Sequence, residues 1–411
     1  MGKNSRIKIN LIRKRFNFRT DKINKKIVIS ILSVVTFLFI GIVIAFNINT
    51  DKTKIDANID IYNNESIDTA TNIPKKEEIN PELSNPIEEN TSVKPNSQVT
   101  NNIKLTILGE MMMGGAVTKN TSYLYNSAFK KIFTLTRDSD FTYCNFSTNI
   151  TNLEKIENTK SKYLVTKEVI NAINGLGIDA VSIASDHMLD FPKDIFKNTL
   201  NLLKDNNTYI SGLDDSILYL EKNGKKIAII SSNNVFIGIK RNYTDYGINV
   251  YSAKKMKEDI TKARQNADFV IVDIHWGREN IFGVTSEMKE IAYLAIDNGA
   301  NLIIGSHALG IYPIITYKDT PIIYSTGYIM TDSTSELAKT SYIFDININK
   351  ENRIDSIEMT PTYISDKKEV IPYFEYSKEL AYEFNLQMNK WQIENNLNSE
   401  IDNDKIIVKF K

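Results

Sequence analysis

The sequence has one cysteine, Cys144, which excludes internal disulfides and any cysteine-ligated zinc finger. It has no charge surplus either, because 50 basic and 50 acidic side chains balance. A nucleic-acid binder of the bulk electrostatic kind carries a basic excess, so that partner class is set aside. Histidine is scarce, three in 411 residues, so where each one falls is informative. What is present is a chain 42% hydrophobic and 24% charged. That is too apolar to be disordered throughout and too charged for a multi-span membrane protein. The length suits one large domain or two ordinary ones.

The neutral total hides an asymmetry. Residues 1–26 hold ten Lys and Arg against one acid, Asp21, and read as a basic cytoplasmic tail. Residues 27–46, IVISILSVVTFLFIGIVIAF, follow without a single charge. Twenty helical residues span about 30 Å, the thickness of a bilayer core. A cleaved signal peptide would have a shorter apolar region and a small-x-small cleavage site, and Ala45-Phe46-Asn47 is not one. Gly2 does not open a myristoylation motif, since position 6 is Arg. The expectation is a single transmembrane signal anchor with the N-terminus cytoplasmic and the main domain extracellular. Residues 47–101 hold four of the nine prolines and many Asn, Thr and Ser. Such a segment buries too little apolar surface to offset its ordering entropy, so a disordered extracellular linker is expected.

From Ile103 onward apolar runs alternate with helical patterns. Strands are predicted at 104–109, 141–146, 179–185, 269–274, 301–305 and 341–348. Helices are predicted at 121–136, from a Thr166 cap to Gly177, from Pro192 to about Asp205, and at 252–267, 286–298 and 376–397. Two hairpins are expected, one turning at Asn223-Gly224 and one within 313–325, and KIIVKF ends the chain as a strand. The pattern is that of an α/β layered domain over 102–365, with residues 366–411 packing a further helix and strand on it. Cys144, the run Met111-Met112-Met113, and the apolar residues Tyr382, Phe384, Leu386 and Trp391 of the last helix read as packing. Trp276 reads as packing beneath a site, and Gly114-Gly115 as a place of close backbone approach.

Ligands of open α/β sheets bind beyond the carboxyl ends of strands. Here four apolar runs end in a candidate metal ligand: Glu110, the pair Asp186 and His187, His275, and His307. All three histidines sit at such ends, and imidazoles with carboxylates can converge on one divalent cation. Asn145 ends another strand, and Glu279, four residues after His275, could orient a ligand from behind or stand as an ordinary exposed carboxylate.

At these residues the sequence resembles the CapA-type proteins of capsule and poly-γ-glutamate synthesis, a family with a calcineurin-like metallophosphoesterase fold. The matching stretches are GLGIDAVSIASDHMLDF (175–191), VIVDIHWGREN (270–280) and NGANLIIGSHALGIYPIITYKDTPIIYSTG (298–327), within about 104–330. The resemblance implies an α-β-β-α sandwich, His187 as the acid or phosphate-contacting residue, and the other four as metal ligands. The departures matter as much. Where the family has Gly-Asp-x-Met, this chain has Gly109-Glu110-Met111-Met112, which pushes the carboxylate out by one methylene. The family's Asn-Leu-Glu becomes Asn145-Phe146-Ser147. Asp140, five residues before Asn145, favours that alignment over the literal Asn-Leu-Glu at 152–154. Ala-Asn-Asn-His becomes Ala184-Ser185-Asp186-His187, and His-x-His becomes His307-Ala308-Leu309.

A dinuclear centre needs about seven or eight protein donors. Glu110, Asp186, His187, His275 and His307 make five, which suits one divalent ion (Mn, Zn or Fe) or none. Three functions stay open. One is a membrane-anchored CapA-like protein acting on, tethering or exporting an anionic capsule polymer with a degenerate metal site. The second is a metal-dependent phosphoesterase of the cell envelope. The third is a non-catalytic scaffold for synthase or export subunits.

Overall fold

The computed structural model describes residues 102–156, 163–235, 243–278, 283–308 and 310–411. The expected tail (1–26), anchor (27–46) and linker (47–101), together with Glu279 and Leu309, lie outside the described residues. Among the described residues no helix is long and apolar enough to cross a membrane.

In chain order the strands are β1 (Ile103–Ile107), β2 (Glu110–Met112), β3 (Phe141–Asn145), β4 (Asn149–Thr151), β5 (Leu164–Thr166), β6 (Ala180–Ser182) and β7 (Tyr209–Ser211). They continue with β8 (Leu218–Lys222), β9 (Lys225–Asn233), β10 (Phe269–His275), β11 (Leu302–Ser306), β12 (Ile315–Tyr317) and β13 (Thr320–Ile323). The last are β14 (Tyr328–Thr331), β15 (Thr340–Ile348), β16 (Ile354–Ile364), β17 (Val370–Pro372), β18 (Asn398–Asp402) and β19 (Lys405–Lys409). The longer helices are α1 (Val169–Leu176), α2 (Lys193–Asp205), α3 (Ala253–Asn266), α4 (Ser286–Asp297) and α5 (Lys378–Glu394).

Local chemistry sets many of these bounds. Gly177 ends α1 in the left-handed region at φ 68°, its N–H closing on the last helical carbonyls. Ser252 opens α3 by accepting from the Lys255 N–H at 3.2 Å. The hairpins turn at Asn223-Gly224 (φ 55° and 74°) and Lys318-Asp319 (φ 49° and 62°). Two positive φ values in a two-residue loop match the twist of the flanking strands. Thr166 does not cap α1. It is the last residue of β5, held extended by pairing with β4, and the helix begins only at Val169, with Glu168 at the cap position and no side-chain cap.

Two sheets face each other. The larger runs β18-β19-β16-β15-β1-β3-β6-β7, and the smaller β12-β13-β11-β10-β9-β8. Within them β1, β3, β6 and β7 are parallel, as are β9, β10, β11 and β13. Strand β10 illustrates the layering. Phe269 and Ile271 enter the core between the sheets, while Val270, Val272 and Ile274 enter the core under α3 and α4. A parallel strand buried on both faces reads as the continuous apolar run found in the sequence. Helices α1 and α2 cover the outer face of the large sheet through Val169, Ile173, Phe196 and Leu203. The order of layers is therefore helix, sheet, sheet, helix. Residues 366–411 do more than pack on this domain, for β17, β18 and β19 are strands of the large sheet itself.

Toward the carboxyl ends of the strands the inter-sheet core turns polar. Asp273 of β10 accepts from the Tyr143 hydroxyl at 2.6 Å. Ser231 lies 2.9 Å from that hydroxyl and Ser211 lies 2.8 Å from Ser231. His275 is two residues further on the same inward face of β10.

Candidate metal centre

The parallel strands deliver their ends to one place. Asp186 follows β6 in a short 3₁₀ turn, Asp186–Leu189. His275 is the last residue of β10, and His307 follows β11. Asp186, His275 and His307 each offer a ligand atom, and these atoms lie within 4.8 Å of one another, all three residues being buried. The His275 and His307 rings are 4.8 Å apart, centroid to centroid. His275 Nε2 is 3.0 Å from Asp186 Oδ1, while its Nδ1 is 2.9 Å from the Ser306 hydroxyl. Ser306 therefore takes the back of the ring and leaves Nε2 to the cluster.

An ion bonded at roughly 2.0–2.2 Å holds its donors about 3–4.4 Å apart. Three donors already within 4.8 Å close on such an ion with small shifts, and two imidazoles with one carboxylate suit Zn, Mn or Fe. The residues present thus fit a divalent metal.

Electrostatics bind the cluster together. Burial alone would raise the Asp186 carboxyl, but the hydrogen bond and charge of His275, with His187 and His307 nearby, hold it well below the usual range. Burial would likewise lower His275, yet Glu110 and Asp186 raise it. Burial pushes the Glu110 carboxyl above its ordinary value, against the pull of His275 and the Ser147 hydroxyl.

The remaining predicted residues sit around these three. Glu110 is buried but stands outside the close cluster. Its Oε1 accepts from the Ser147 hydroxyl, and its Oε2 accepts from the His307 backbone N–H at 3.1 Å. His187 lies at the rim. Its Nδ1 is 3.0 Å from Asp190 Oδ2, its Nε2 is 3.9 Å from Asp186 Oδ2, and its ring lies 3.9 Å from that of Tyr163. Asn145 Oδ1 lies 2.8 Å from the same Ser147 hydroxyl, whose one proton serves Glu110 or Asn145 in turn, and the buried Asn145 Nδ2 has no hydrogen-bond partner among the described residues. Ser147 in this network, with Asn152 and Leu153 exposed, agrees with reading 145–147 as the strand-end motif.

Three features escaped the sequence reading or differ from it. Asp190 was not singled out, although its spacing of three from His187 in ASDHMLD was the available signal. Ser147 was noted only as a lost carboxylate, yet it links Asn145 to Glu110. Gly114-Gly115 leads into the third, an anion contact within the chain. The Asp332 carboxylate already accepts from the Ala116 and Val117 N–H groups at 2.9 and 3.0 Å. Cys144 is a buried core thiol whose pKa burial raises, as packing predicts. Trp276 is fully buried and donates to the Tyr324 carbonyl at 2.9 Å.

The fold and the site define a mixed α/β protein with a buried Asp-His-His centre where parallel strands end. Residues 104–333 match the family described as "Bacterial capsule synthesis protein PGA_cap". That is more than half of the chain, and the chain belongs to this family. It is 27% identical over 327 residues to the PGA biosynthesis protein CapA of Bacillus subtilis, covering 74% of this chain and 84% of that protein. It is 24% identical over 282 residues to the capsule biosynthesis protein CapA of Bacillus anthracis, covering 64% and 68%. Among solved structures, a 5'-nucleotidase of Candida albicans aligns at 13% identity with a TM-score of 0.38, covering 72% of this chain and 59% of that one.

Proposed function

We propose that the chain is a membrane-anchored, outward-facing protein of a bacterial capsule or poly-γ-glutamate system. Its α/β domain acts on the anionic polymer, or on a group attached to it, with the help of a divalent ion. The observation that carries this reading is the meeting of Asp186, His275 and His307 within 4.8 Å in a member of the capsule synthesis family. The anchor is supported by twenty uncharged residues, 27–46, directly after a basic segment. The relatives named for PGA and capsule biosynthesis support the polymer system as the setting.

A bound ion would supply Lewis acidity and an activated water. The chain's own residues would do the rest. Asp186, His275 and His307 would hold the ion. Asp190 keeps the His187 ring turned so that Nε2 faces the Asp186 side, where it can pass a proton to a leaving oxygen. That dyad specifically favours a hydrolytic reading, a metal-dependent phosphoesterase of the envelope, over a scaffold without chemistry.

Two measurements test the proposal. The full-length chain is assayed for bound metal and for hydrolysis of a generic phosphate ester with Mn²⁺ or Zn²⁺. In cells, surface polymer is quantified after His275→Ala. Bound ion, turnover abolished by His187→Ala, and polymer loss at unchanged protein level are expected. A chain without ion or turnover, whose His275→Ala variant still supports full polymer, would leave only the scaffold role.

A further inference from the structure

We infer that Glu110 is a positioning residue rather than a ligand, and that the centre takes one divalent ion, held by Asp186, His275 and His307. The inference rests on the reading of this cluster as an ion site, and adds the number of ions and the role of the second buried carboxylate.

Both oxygens of Glu110 already serve the protein. One accepts from the Ser147 hydroxyl and the other from the His307 N–H at 3.1 Å. The second bond has a mechanical purpose. His307 has φ 73°, in the left-handed region that a non-glycine residue adopts only at a cost. Glu110 grips the peptide N–H of that strained residue and so fixes the direction in which its imidazole leaves the chain. The backbone of Glu110 is itself anchored. Its N–H donates to Gly327 O at 2.7 Å, and a Cβ on the preceding Gly109 would meet Ile329 N at 2.7 Å and Gly327 O at 2.8 Å. The backbone of β2 is thus held close against β14, and the carboxyl reaches from there to Ser147 and the His307 N–H.

The same network closes the seat of a second ion. Two-metal centres need a bridging carboxylate and further donors of their own. Beside Glu110 stands an uncharged hydroxyl, Ser147, whose contacts run to Glu110 and to Asn145 Oδ1. Among the described residues, the polar side chains at that place, Glu110, Ser147 and Asn145, are turned to one another.

The test uses the full-length chain, titrated with Mn²⁺ and followed by calorimetry and electron paramagnetic resonance. One ion per chain with an uncoupled six-line Mn²⁺ spectrum is expected. Asp186→Asn, His275→Ala and His307→Ala should each weaken binding by more than about 100-fold, as befits lost ligands. Glu110→Ala should weaken it by about 10–100-fold, the usual effect of removing a group that orients a ligand. Glu110→Gln should rescue it to within about fivefold of the wild type. Its amide oxygen can accept from His307, and its NH₂ can donate to Ser147, which still donates to Asn145. Two ions per wild-type chain, or an exchange-coupled spectrum, overturn the inference without any variant. A Glu110→Gln loss as large as that of His275→Ala overturns it too, and leaves the ion site standing. A wild-type chain that binds no ion overturns both readings together.

Discussion

His187 and Asp190 show how much one neighbour can decide. An imidazole at the rim of a metal cluster has two ring nitrogens, and its use as an acid depends on which one faces the substrate. Asp190 Oδ2 takes Nδ1 at 3.0 Å, so Nε2 is the nitrogen left for the proton transfer proposed above. Asp190→Asn keeps the shape and removes the charge that favours the protonated ring. In the phosphate-ester assay kcat should fall about 10–100-fold, a part of the 10²–10⁴ that a general acid contributes, while Mn²⁺ affinity stays within a few-fold. Equal loss of both would place Asp190 among the supports of the ion. A second residue gives a pH prediction. Asp345 is buried on β15, accepting from Thr106 at 2.6 Å with Lys104 3.3 Å away. Burial raises its pKa despite those two partners. A carboxyl whose folded pKa is raised favours the fold when protonated, so its contribution falls as pH rises from the unfolded value near 4 through the folded one. Asp345→Asn removes this dependence. The unfolding free energy of the variant relative to wild type should therefore be more favourable at pH 7 than at pH 4, as read from urea curves at both. The reverse trend would mean that the Lys104 ion pair outweighs burial.

The strand ends β10 and β11 carry the site, and the glycine between them sets how closely they can pack. Gly305 lies beside Trp276, and a Cβ there would meet Tyr324 O at 2.2 Å and the indole Nε1 at 2.3 Å. Those two atoms form the 2.9 Å hydrogen bond that ties the residue after His275 to the segment after β13. Gly305→Ala forces that bond apart and moves Ser306 and His307 with it. A destabilisation of about 1–3 kcal/mol is expected from urea unfolding, with weaker Mn²⁺ binding in the variant that remains folded. Full stability in this variant would show that the indole can swing away. Elements such as these were open to sequence reading for a plain reason. A strand buried on both faces is an uninterrupted apolar run, and FVIVDI and NLIIG are such runs. An imidazole or carboxylate within two residues of the end of such a run is then a strand-end residue, and Asp186, His275 and His307 are legible in the sequence on that ground. What the pattern could not give was direction. Glu110 follows its strand as the others do, but β2 turns it toward Ser147 and the His307 backbone, a consequence of pairing with β14 more than 200 residues away. The start of α1 was misplaced for a similar reason. Thr166 has the chemistry of a cap, yet pairing with Thr151 of β4 keeps its backbone extended and the helix starts three residues later.

At the scale of the whole molecule the two sheets are unequal. The large sheet continues past β1 through β15, β16, β19 and β18, beyond the cover of the small one. Apolar residues on that extension, such as Ile357, Met359, Ile406 and Val408, would face water if nothing lay over them. Helix α5 closes this part of the inter-sheet core with Met388, while Phe384 and Trp391 pack alongside. Only one of its faces is used. Tyr382 and Leu386, read from the sequence as covering the domain, are 53% and 51% exposed, because they lie about a quarter turn or more from the stripe formed by Ala381, Asn385, Met388 and Gln392. Asn385 is inside that stripe because it is fully used, accepting from Tyr342 at 3.0 Å and donating to Asp404 O at 3.1 Å. The contrast makes a paired prediction. Met388→Ala should lower the unfolding free energy by about 2–4 kcal/mol, the cost of a cavity at a buried methionine. Leu386→Ala should change it by less than about 0.5 kcal/mol. Both should bind Mn²⁺ with the wild-type stoichiometry, since the candidate ligands Asp186, His275 and His307 follow or end β6, β10 and β11 and not the extension. If α5 were an appendage resting on a finished domain, neither substitution would register in urea unfolding. A large effect at Met388 alone makes the C-terminal helix a lid on the core that the parallel strands share.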